Sequence, residues 1–126
     1  MRRAGKERGQ ATVELALCLP VVLFVLGALA EIGLIASDQV RLWHAAREAA
    51  RIAVVEPDPT AARRAAEGAG FGSLRLVIRP EPPLRRAGDP LTVSVEYDRR
   101  AVIPVIGELF ERVDLEARAT MRIEQP

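Results

Sequence analysis

From Leu15 to Ala30 the chain runs through sixteen residues without a charge, interrupted as a helix only by Pro20 and Gly27. Beyond Ser37 the pattern changes to a mixture of apolar and polar positions. Val40, Trp43, Ala46, Ala50 and Ala53 recur at three- and four-residue spacing, with Asp38, Arg41, Arg47, Glu48 and Arg51 between them. That period predicts an amphipathic helix, in which Glu48 and Arg51 are close enough to pair weakly. Glu56 precedes Pro57, which disfavours the helical region and ends the helix near Val55. Counted from Ala11, this is one helix of about 67 Å, with Pro20 and Gly27 as candidate kinks.

After the helix the period shortens. Thr60 to Gly68 reads as a short helix with Thr60 as N-cap. Leu74 to Arg79 places Leu74, Leu76 and Ile78 on one face, and Leu91 to Asp98 alternates Leu91, Val93, Val95 and Tyr97 with polar residues. Val113 to Glu124 is the longest alternation, with Val113, Leu115, Ala117, Ala119, Met121 and Ile123 on one side. Three antiparallel strands with one dry face need a cover, and the helix from Val40 to Val55 supplies it. The fold class is therefore α+β: a long N-terminal helix continuing into a small domain with a three-stranded sheet. Pro80, Pro82, Pro83 and Pro90 make a stiff exposed loop. The segment "AVIPVIGELFER" carries Ile103, Val105, Ile106, Leu109 and Phe110 and is expected to fold back as a short helix under the sheet; a partner-docking patch is the alternative.

Composition narrows the function. Of 126 residues, 49% are hydrophobic, concentrated in the first third, and the net charge of +1 provides no footprint for nucleic acid. Cys18, the single cysteine, lies in the apolar run and reads as a small apolar side chain; His44, the single histidine, has no second ligand for a metal and no nucleophile to activate. No catalytic, cofactor or metal set can be assembled, which argues against an enzyme.

Residues 1–9 carry Arg2, Arg3, Lys6 and Arg8 against Glu7, which holds that end in the cytoplasm and places the C-terminal part outside. Three readings compete. A plain signal anchor from Leu15 to Ala30 is about 24 Å long, short of a hydrocarbon core of roughly 30 Å. Extending it to Ala36 brings Glu31 near the outer face, within reach of the headgroups. A cleaved secretory signal would use Ala28-Leu29-Ala30 and release a protein starting at Glu31. Neither gives a reason for Glu14, a carboxylate at the mouth of the apolar run.

The stretch "GQATVELAL" does. Gly9, then Gln10-Ala11-Thr12-Val13-Glu14, then an apolar helix with a proline, resembles a type IV prepilin N-terminus. With the wider stretch "RGQATVELALCLPVVL", "HAAREAARIAVV" and the closing "ARATMRIE", the chain resembles the TadE-like minor pilins of tight-adherence (Tad) pilus systems. The resemblance implies cleavage by a prepilin peptidase between Gly9 and Gln10, leaving Glu14 as the fifth residue of the mature chain. Gln10 stands where many type IV pilins carry phenylalanine.

The implied organisation is a leader at 1–9, a transmembrane helix at 10–36 and an external domain at 37–126. Glu14 would act in assembly, and Pro20, Gly27, Gly33, Ala46 and Ala50 in helix packing, since small residues let helices approach in lipid. The resemblance implies pilus biogenesis and adhesion, with the prepilin peptidase, other pilins, the inner-membrane assembly platform and the lipid bilayer as partners. The alternative is a membrane-anchored or released external binding module that does not polymerise.

Overall fold

A computed structural model describes residues 4–108 and 112–124. Helix α1 runs from Ala4 to Ala53, 50 residues with Pro20 inside it. Proline has no N–H to give the carbonyl of Ala16, yet the helical assignment continues unbroken through Pro20 and Gly27. The stop comes where Pro57 requires it. Val54 N–H still reaches the Ala50 carbonyl at 3.1 Å, and Glu56 N–H reaches Ile52 at 2.8 Å. The buried Arg85, from the proline-rich loop, donates Nη1 to the Ala53 carbonyl at 3.3 Å and Nε to the Pro80 carbonyl at 3.2 Å. A cation thus closes the negative end of α1. Burial pushes the Arg85 guanidinium below its ordinary pKa.

Helix α2, Pro59–Glu67, is capped two residues earlier than its sequence suggests. Asp58, not Thr60, is the N-cap: its Oδ1 accepts from the Thr60 N–H at 2.9 Å, and Oδ2 from the Thr60 hydroxyl at 2.6 Å. Pro59 fits the first turn, where no intrahelical N–H is needed. Ala62 and Ala66, one turn apart, are buried against α1. Past Gly70, whose φ of 84° only glycine adopts readily, Phe71 packs its ring 4.6 Å from that of Tyr97, and the Arg41 guanidinium lies 4.8 Å over Phe71.

Strands β1 (Arg75–Arg79), β2 (Pro90–Arg99) and β3 (Val113–Arg122) form an antiparallel sheet in the order β1-β2-β3. The register pairs Leu76 with Val95, Val95 with Ala117, and Tyr97 with Leu115, so the alternations read from the sequence share one face. This is the α+β arrangement expected. Helix α1 lies across the dry face. At the edge, the Gln39 amide donates to the Glu116 carbonyl at 2.8 Å, tying helix to strand.

The buried face of the helix is rotated from the one its period suggests: Ala46, Ala50 and Ala53 face inward as expected, but Val40 and Trp43 do not. Leu42, Ala45, Ala46, Ala49, Ala50 and Ala53 are the buried stripe, while Val40 and Trp43 are each 53% exposed. Alanines permit close approach to the sheet, where a tryptophan would hold the layers apart. The segment after β2 also differs. Its short helix α3, Pro104–Gly107, docks on α1 instead of under the sheet, with Ile106 buried and Val105 exposed. Leu109 and Phe110 lie outside the described residues.

Candidate functional site

Two places on α1 carry charge where an apolar helix would carry none. At the first, Gly9, Gln10 and Glu14 are exposed on consecutive turns, and a Cβ added at Gly9 would meet nothing within 4 Å. Glu14 forms no ion pair among the described residues. The large side chains that follow are equally bare: Leu17 is 71% exposed, and only 6% of the most apolar window of Gly9–Ala53 is buried. By length and composition this helix can cross a membrane.

The second place is Glu31, and the sequence reading misjudged its surroundings. Its side chain is 0% exposed, covered by the C-terminal domain instead of reaching out to headgroups. Oε1 accepts from Nη1 of Arg99, and the Val102 N–H approaches both carboxylate oxygens at 3.3 Å. Arg99 in turn donates Nε to Oδ2 of Asp38 at 2.7 Å. Asp38 also accepts from Arg41 Nη1 at 3.3 Å, and Arg41 Nη2 donates to the Ala69 carbonyl at 2.7 Å. One guanidinium therefore clamps two carboxylates two turns apart on α1. Burial works against the charge of Arg99, but its bonds to Glu31 and Asp38 prevail and hold its pKa above the ordinary value.

The local reason for this clamp is the pleat of β2. Inward positions run Leu91, Val93, Val95 and Tyr97, and the next inward position is Arg99. An arginine aimed at a dry face needs carboxylates there, and α1 supplies them as it leaves the sheet. Beyond the clamp, Ile106 Cδ1 would lie 2.7 Å from a Cβ added at Gly27, so the missing side chain makes the seat for α3.

The other residues assigned to helix packing separate by location. Ala46 and Ala50 are wholly buried inside the chain's own core, Pro20 is exposed, and Gly33 faces open space. Cys18 and His44 are exposed, and among the described residues no three His, Cys, Asp or Glu side chains group as metal ligands. On the wet face of the sheet Glu96 stands opposite Glu116 and Asp98 opposite Asp114. Arg75 offsets Glu96 at 3.3 Å, and Arg118 offsets Glu116 at 2.8 Å.

No curated protein and no solved structure matches the chain. A family model does: the one described as TadE-like protein matches residues 9–51, starting at Gly9 and ending in the part of α1 that packs on the sheet. Over that stretch the chain is similar to the TadE-like family, consistent with a TadE-like protein of Tad pilus systems.

Proposed function

We propose that the chain is a minor pilin of a Tad-type pilus, cut between Gly9 and Gln10 by a prepilin peptidase and acting in pilus biogenesis and adhesion. It would be held in the cytoplasmic membrane by α1, with the basic end inside and the sheet outside, and would assemble with other pilins on the inner-membrane platform. The observation that carries this reading is the offset of Gly9 and Glu14 at the start of a bare apolar helix, within the stretch that matches the TadE-like family. Both bonds flanking the cut are helical, since α1 begins at Ala4. Glycine weakens a helix by about 1 kcal/mol relative to alanine. Gly9 thus lowers the cost of opening the helix at the proposed cut.

Cleavage gives Gln10 an α-amino group with an ordinary pKa of about 7.7 to 8. In a filament that amine and a neighbouring subunit's Glu14 neutralise each other in apolar surroundings. Removing one member of such a pair costs about 3 to 5 kcal/mol, because the other charge stays uncompensated. The pairing holds at one axial offset between helices, so Glu14 sets register.

Mass spectrometry of the protein purified from membranes should find Gln10 first; Met1 or Glu31 as the first residue would defeat the reading. Glu14→Ala should leave cleavage and insertion intact but abolish crosslinking to other pilins. Unchanged crosslinking and piliation would make Glu14 an ordinary interfacial charge and favour an anchored module that does not polymerise.

A further inference from the structure

We infer that the segment Ala101–Gly107 is a second membrane contact, a loop that lies in the outer leaflet beside α1. The inference rests on the membrane-anchored reading of α1 and concerns a part of the chain that this reading leaves unexplained.

Depth is the first argument. Gly27, the seat of Ile106, is twelve residues beyond Leu15 in the uncharged run, about 18 Å along the helix. With Leu15 at the inner edge of a hydrocarbon core of roughly 30 Å, that level falls in the outer leaflet. Whatever touches Gly27 from the side is at the same depth. The clamp supports this placement, because burying Glu31 under Arg99 removes the only charge from the helix surface between Glu14 and Asp38. The lipid-facing side of α1 is then free of charge from Leu15 to Ser37, about 33 Å, which is enough to cross.

Surface chemistry is the second. Val102 is 65% and Val105 75% exposed, on a segment whose Ile103 and Ile106 face α1. Leu23, Leu26 and Ala30, within four residues of Gly27 on the helix, are exposed as well. Arg100 before it and Glu108 after it are exposed charges that bound the apolar stretch.

Backbone satisfaction is the third. Irregular chain in hydrocarbon is tolerated only where its polar groups find partners. Here the Val102 N–H is taken by the Glu31 carboxylate, Pro104 has no N–H, and Ile106 and Gly107 both donate to the Ile103 carbonyl, at 3.1 and 2.8 Å. The same carboxylate that is hidden from lipid thus prepares the loop to enter it.

Leu84 provides the control. It is 70% exposed on the proline-rich loop, whose Arg85 reaches the Ala53 end of α1, some 39 Å from Gly27 along the helix. Single cysteines at Val105, Leu84 and Leu23 in a Cys18→Ser background would carry an NBD fluorophore. The full chain is reconstituted at low density in vesicles of phosphatidylethanolamine and phosphatidylglycerol containing nitroxide-labelled lipids. NBD at Val105 should be blue-shifted and quenched, more strongly by a nitroxide deep in the acyl chain than by one at the headgroup, while NBD at Leu84 is unquenched. Quenching at Leu23 but not at Val105 overturns the inference and leaves the anchor standing. A blue shift at Val105 without quenching means that protein covers the patch, and overturns it too. Absence of quenching at Leu23 defeats the anchored reading itself, and the loop with it.

Discussion

The two halves of α1 are one continuous helix with opposite relations between side-chain size and burial. Below Leu26 the residues are large and bare, as at Leu17, Val21 and Leu23; above Asp38 the inward residues are mostly alanines and wholly covered. In water a helix buries its largest apolar groups first. The inversion teaches that the upper half is shaped for close contact with a partner already present, its own sheet. The lower half is shaped for surroundings the isolated chain does not contain. Hydropathy alone ranks the lower half as the core, and geometry reverses that order.

The strongest way to break the comparison is to place the same charge in both halves. Ala49→Asp puts an unpaired carboxylate under the sheet and should unfold the domain, an effect above about 4 kcal/mol. Val21→Asp should leave the domain folded and instead weaken insertion, by about 2.5 to 3.5 kcal/mol on insertion scales. Near-ultraviolet circular dichroism in detergent reads the first effect, and carbonate extraction of membranes the second. If both substitutions unfolded the domain, the lower half would be part of its core.

Next in size is the seam between the halves. Arg99→Met leaves Glu31 buried without its cation and should cost about 3 to 5 kcal/mol in denaturant unfolding. The double variant with Glu31→Leu should recover most of that, because an apolar pair of similar volume fills the site. Failure of the second change to rescue would show that the clamp acts through Asp38 alone.

Smaller again is a test of size. Ala49→Leu should destabilise the domain by about 1 to 3 kcal/mol through overpacking. Leu17→Ala should leave domain unfolding unchanged, since nothing among the described residues packs on Leu17 closely enough to bury it. Equal responses to the two would remove the distinction drawn between the halves.

The smallest effect belongs to α2, outside the comparison, and calibrates it. Hydrogen bonds from Thr60, hydroxyl first and then backbone, hold the Asp58 carboxyl below the usual carboxylate range. A folded pKa lowered in this way gives stability that is fully present above the unfolded value and is lost as pH falls through the folded one. Amide-exchange protection of α2 should therefore be flat from neutral pH to the ordinary aspartate range and decline below it. In Asp58→Ala it should be lower throughout and lack that decline.

Where the chemistry is local, the sequence was enough. The alternation from Val113 to Ile123 assigned every inward residue of β3, and that of β2 was right as far as Tyr97. Continued by one more step it would have reached Arg99, and an inward arginine is itself a signal that a carboxylate is near. What no local pattern holds is which carboxylate, because Glu31 and Arg99 are 68 residues apart. The rotation of α1 was obscured for a different reason: Trp43 and Val40 outweigh alanines in any apolar stripe, although alanines were what the sheet could accept. The seat of α3 at Gly27 was legible only as a small residue in a helix, with no indication of what fills the space.

The separation of Glu31 from Arg99 also orders events in time. In the orientation proposed above, the residue that will cover Glu31 has not yet been made when α1 leaves the ribosome and enters the bilayer, and it would then have to cross the membrane before returning to the helix. On that proposal, insertion of the anchor is completed by folding on the far side. A chain ending before Arg99 should thread into the membrane with Glu31 drawn outward to water, leaving a shorter buried span than the finished protein, a difference that cysteine-accessibility mapping along Leu26 to Ser37 would reveal.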